Sequence, residues 1–151
     1  MKKISILFIS FFFINCSSSL HDYMIGKWES KYVDFHFQQA DGLVNKFTVN
    51  FDNPEDENAK VKAFSEYNQD GTFTAHYQNE KGEKINPTKG TWQIIHDSLN
   101  IQYDSGSNRV NAFYKIVPTS YGFEAYSHYD FDHNGLVDTL FMKSKRLDKI
   151  K

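Results

Sequence analysis

One cysteine in 151 residues, Cys16, leaves this chain no internal disulfide. The patterns that carry familiar chemistry are missing as well. There is no G-x-S-x-G for an exposed nucleophile, no phosphate-binding P-loop, no G-x-G-x-x-G and no second cysteine for redox work. The six histidines, His21, His36, His76, His96, His128 and His133, are scattered, and none forms a zinc-type pair. Acidic residues are plentiful, yet no pair sits in an apolar run that would raise one carboxyl. A catalytic role therefore has no positive support, and the chain is read as a non-enzyme. Excess positive charge is also lacking: the net charge is −2, and removal of residues 1–15 leaves 15 bases against 19 acids, a formal −4. That balance offers no footprint for nucleic acid.

The longest apolar run, Ile4 to Ile14, is broken only by Ser5 and Ser10. Its eleven residues fall short of the ~20 that a spanning helix needs. Preceded by Met1-Lys2-Lys3, it reads as an export signal over residues 1–15. Phe13-Ile14-Asn15-Cys16 resembles a bacterial lipobox, with Asn15 where Gly, Ala or Ser usually stands. The resemblance makes Cys16 the lipidated first residue of the mature chain, followed by a serine tether, Ser17 to Ser19. It implies a cell-envelope protein held on a membrane, sorted to the outer membrane because Ser17 is not Asp. The competing reading is a secreted protein with a stray thiol.

What the chain does contain is alternation. Aromatics make up 17% of residues and charged groups 24%, a globular composition at a length suited to one domain. Residues 16–25 form the anchor, the tether and an N-terminal turn, and Gly26-Lys27-Trp28 opens the first strand. Val33, Phe35 and Phe37 then alternate with polar neighbours, as do Phe47, Val49 and Phe51 after an Asp41-Gly42 turn. Residues 52–58 form a solvated acidic loop containing Pro54. Val61 to Tyr67 is a weaker strand. Asp70 to Tyr103 holds three more, placing Phe73, Ala75 and Tyr77, then Trp92 and Ile94, then Leu99, Ile101 and Tyr103 on single faces, with residues 86–90 read as a loop. Val110, Ala112, Tyr114 and Ile116 share a face, as do Phe123, Ala125, Ser127, Tyr129 and Phe131, and a last strand runs from Leu136 to Lys145. Nine strands with short loops imply an antiparallel meander over 26–146 with a basic tail at 147–151. Exposed edges favour closure, so an all-β up-and-down barrel of eight or nine strands is expected, with a two-layer β-sandwich as the alternative.

Gly26-x-Trp28, Asp70-Gly71-Thr72-Phe73, Gly90-Thr91-Trp92 followed by Asp97-Ser98-Leu99, and Tyr114-x-Ile116 together resemble the lipocalin-like lipoproteins of bacteria. The resemblance implies a barrel signature of Gly26, Trp28 and Arg146, in which the arginine packs over the first-strand tryptophan as a cation–π partner. It further implies a small apolar or amphipathic ligand, bound in a cavity of which Phe35, Phe47, Phe73, Tyr77, Trp92, Tyr103, Tyr114 and Phe123 are the candidate lining. Trp28 and Trp92 read first as core aromatics. A protein-binding envelope module, using the acidic loop as its contact, is the second functional expectation.

Asp130-x-Asp132-x-Asn134-Gly135-x-x-Asp138 spaces oxygen side chains as a calcium loop does, with Phe141 where the bidentate ligand should stand. Calcium at Asp130, Asp132, Asn134 and Asp138 competes with a simpler reading, a tight hairpin turn at Asn134-Gly135.

Overall fold

In Asn108–Pro118, Val110, Ala112, Tyr114 and Ile116 are buried while the residues between them are exposed. That period of two, repeated around the chain, builds the domain. The computed structural model describes residues 19–148; the expected signal segment 1–15, Cys16 and the end of the basic tail lie outside the described residues. A short helix, α1 (Leu20–Met24), precedes nine strands: β1 (Gly26–Gln38), β2 (Val44–Asn50), β3 (Lys62–Tyr67), β4 (Thr72–Gln78), β5 (Lys84–Ile95), β6 (Ser98–Ser105), β7 (Asn108–Pro118), β8 (Gly122–Tyr129) and β9 (Asp138–Arg146). A 3-10 turn over Glu57–Lys60 sits in the acidic connection.

All the ladders are antiparallel, and β9 pairs back onto β1 along Trp28 to His36. The result is a closed eight-stranded barrel with one strand more than the circuit needs. The supernumerary strand is β2. Gly26–Glu29 of β1 pairs with β3, whereas Tyr32–Gln38 of the same strand pairs with β2. The two partners thus lie end to end on one flank of β1. Among the described residues no ladder joins β2 to β3 or β4. The handover falls at a register shift between Ser30 and Tyr32, around Lys31. The Lys31 ammonium reaches Glu29 at 3.1 Å and Asp52 at 2.9 Å, fastening the place where the wall divides.

Three local expectations are corrected. Residues 86–90 are not a loop but part of β5. Pro87 is accommodated because β5 carries one extra residue against β4 between Ile85 and Thr88, with Asn86 at φ 49°. A bulge is where a strand tolerates a missing N–H donor. The β8–β9 turn is not a two-residue hairpin at Asn134-Gly135. Pairing stops at Tyr129 and Asp138, and the eight residues between them form an ordered loop. The tail does not leave freely from Arg146 either: the Leu147 N–H donates to the Lys27 carbonyl at 2.9 Å, and Asp148 accepts from the Lys27 N–H at 3.1 Å.

Candidate functional site

The two ends of the barrel differ. At one end α1 lies across the opening and the interior is solid. Trp28 has no exposed surface; its indole N–H donates to the Met24 carbonyl at 2.9 Å and its ring meets Phe123 edge-on at 4.7 Å. Arg146 stands over the Trp28 face, Cζ to centroid 4.2 Å, and its guanidinium donates to the Ile25 carbonyl at 3.0 Å and to the Tyr23 carbonyl. Gly26, at φ 134°, has room for no side chain there, since a Cβ would run into the Asp148 carboxylate and the Arg146 guanidinium. Gly26, Trp28 and Arg146 therefore converge. They form a plug, with no solvent-facing reactive group among them.

Trp92 closes the same end. Its ring stacks on His21 of α1 at 4.9 Å and its N–H donates to the Asn68 carbonyl at 2.8 Å. Trp92 and Phe123, expected among the ligand-lining residues, are instead core residues of the plug and do not border the cavity. Both point inward as their alternation requires, but at the height that α1 fills.

The other end holds a cavity of ≈ 490 Å³. Its lining includes Phe35, Phe47, Phe73, Tyr77, Tyr103 and Tyr114 of the expected set. Phe47 of β2 and Tyr77 of β4 both line it and are 45% and 42% exposed, so it reaches the surface beside them. Val33, Val49, Leu140 and Met142 add aliphatic surface that the aromatic-weighted expectation missed, although the same alternation marks all four. No Asp, Glu, Lys or Arg is among the described lining residues. His76 borders the cavity, and burial first, then the Lys84 charge, hold its imidazole below the usual value.

Burial pushes the Tyr67 phenol up to about 12, the nearby Ser65 hydroxyl offsetting this in part, and pushes Tyr114 up as well. A phenol that ionises later when folded stabilises the fold fully below about pH 10, and that contribution is lost as pH climbs toward the folded value. For Tyr67 the loss amounts to roughly 2–3 kcal/mol. Unfolding free energy measured by urea titration is accordingly expected to fall from about pH 10 upward, and Tyr67→Phe to flatten the decline. A slope unchanged in the variant would contradict this assignment.

Beyond the cavity mouth lies the acidic β8–β9 loop. One oxygen each of Asp130, Asp132 and Asp138 comes within 4.8 Å of the others, a hard-cation donor set in kind. Every one of these side chains also accepts hydrogen bonds from the protein. Asp138, fully buried, takes the Gln38 and Phe131 N–H groups at 2.9 Å each. Asp130 takes those of Asn134 at 3.0 Å and Gly135 at 2.9 Å, and Asp132 takes the Asn134 N–H at 3.2 Å. Asn134 does not turn its oxygen to the carboxylates: that atom accepts from the Leu136 N–H, and its NH2 donates to the Gln38 carbonyl at 2.8 Å. The four residues assemble, then, as a hydrogen-bonded loop pinned to the end of β1.

Two of the four acids of residues 52–58 are likewise engaged locally, Asp52 with Lys31 and Asp56 with the N–H groups of Asn50 and Asn58. No family model, curated protein or solved structure matches this chain.

Proposed function

We infer that this is a lipid-anchored, lipocalin-like protein of the bacterial cell envelope that binds one small apolar or amphipathic molecule without transforming it. The observation that carries this reading is the uncharged ≈ 490 Å³ cavity lined in part by β2 and β4, within the size range of small-molecule sites. An eight-stranded barrel has room for packed side chains or for one small ligand, and here only one end is packed. The anchor is Cys16, and the expected location is the outer membrane. Phe113, Val117 and Tyr126, exposed on the outer face of β7 and β8, favour a protein-binding module as the second reading. The acidic loop contributes less to it, because Asp52 and Asp56 already have local partners.

Native mass spectrometry of protein purified from bacterial envelopes tests the first reading. A bound small molecule released by solvent extraction is expected, together with a palmitate label that Cys16→Ala removes. Protein of unliganded mass only, crosslinked in the envelope to a protein neighbour, would replace it with the second reading.

A further inference from the structure

Three phenols stand on the cavity wall, Tyr103 and Tyr114 with no hydrogen bond from the described residues and Tyr67 with the Ser65 hydroxyl beside it. Tyr67 and Tyr114 are only 3% and 8% exposed, and Tyr103 is half-buried. They belong to one neighbourhood. Tyr67 and Tyr103 flank Phe73, with ring centroids 5.9 and 6.0 Å from it, and Tyr114 lies on β7 beside the β6 strand that carries Tyr103. Directly across the β7–β8 ladder from Tyr114 is Ser127, whose buried hydroxyl is unpartnered. The three phenol oxygens are not among the buried, unpartnered polar atoms, so on a cavity wall they remain available to a ligand oxygen, a hydrogen bond worth about 0.5–1.5 kcal/mol.

The lining says which kind of oxygen. It carries no cation, and His76 is held toward its neutral form. A carboxylate or phosphate brought in would be a buried ion without a countercharge, which is heavily penalised, and an ammonium would meet no anion. A ketone, quinone, ester or alcohol oxygen carries no such penalty and accepts from a phenol. We propose that Tyr67, Tyr103 and Tyr114 form a subsite for the neutral oxygen of an otherwise apolar ligand, whose body packs on Val33, Phe35 and Leu140. This rests on the ligand-binding reading above and narrows its ligand class. At about 30 Å³ per heavy-atom group, the scale of a water in liquid, the ≈ 490 Å³ cavity takes a body of at most roughly 16 non-hydrogen atoms.

The test uses four probes of matched length, namely methyl octyl ketone, decanol, decanoate and decane, titrated calorimetrically into the Cys16→Ala protein at mildly alkaline pH. The ketone and the alcohol are expected to bind about tenfold more tightly than decane or decanoate, one good hydrogen bond's worth. Replacing all three tyrosines with phenylalanine is expected to erase that preference while leaving decane affinity within about twofold, which also reports an intact fold. Should the triple variant fail to fold, Tyr103→Phe, the least buried of the three, is expected to reduce the preference alone. Decanoate binding as tightly as the ketone, or a preference that survives the phenylalanines, overturns the subsite and leaves the cavity's role standing. Failure of all four probes, decane included, overturns the ligand-binding reading itself.

Discussion

Replacing Trp28 with alanine is expected to lower the unfolding free energy by about 3–5 kcal/mol, a large part of what a domain of this size has. The indole is wholly buried between α1 and the strands, so its removal forfeits transfer energy and leaves a void. The void cannot collapse, because Trp28 sits where β1 pairs with β3 on one flank and with β9 on the other. The Met24 carbonyl loses its donor, and Arg146 loses the ring face beneath it. The arginine contributes separately by forking to the Tyr23 and Ile25 carbonyls, which the point charge of a lysine cannot reproduce. A double-mutant cycle of Trp28→Phe with Arg146→Met is expected to show coupling of about 1–2 kcal/mol. Urea midpoints read both effects, and the milder pair keeps the result interpretable if Trp28→Ala does not fold. A Trp28→Ala cost below about 1 kcal/mol would mean that the closed end is not a structural plug.

Alternation made the barrel legible. Residues such as Val110, Ala112, Tyr114 and Ile116 declare an inner face wherever a strand has one wet side, and turn residues set the hairpin order. It does not report height along the barrel axis. Trp92 and Phe123 obey the same rule as Phe73 and Tyr103, yet α1 covers the first two and leaves the others beside the cavity. Nor does it say how a long strand shares its flanks. Nothing in Gly26–Gln38 announces that one flank changes partner near Lys31. Pro87 misled for a related reason: proline argues against a regular ladder, and the ladder there is irregular by one residue. The spacing of Asp130, Asp132, Asn134 and Asp138 suggested calcium ligands or a tight hairpin, and it could not show how many of their oxygens the backbone already occupies.

Asp138→Ala is expected to cost about 2–4 kcal/mol, because it strands two buried N–H groups in one change. Those groups belong to different elements, Gln38 at the end of β1 and Phe131 in the β8–β9 loop, so the side chain fastens the loop to the strand that closes the barrel. Asp132, exposed and accepting only from Asn134, is expected to cost under about 1 kcal/mol when replaced by alanine. The contrast separates a fastening role from cation binding. Hydrogen bonds to the backbone do not depend on calcium, so the Asp138→Ala cost should be the same in millimolar calcium and in chelator, and wild-type thermal midpoints in the two buffers should coincide. A wild-type midpoint that rises with calcium, with Asp132→Ala abolishing the rise, would instead make Asp130, Asp132 and Asp138 ligands. The loop order that now comes from N–H donors would then come from the ion, and the Asp138→Ala cost would grow with calcium concentration.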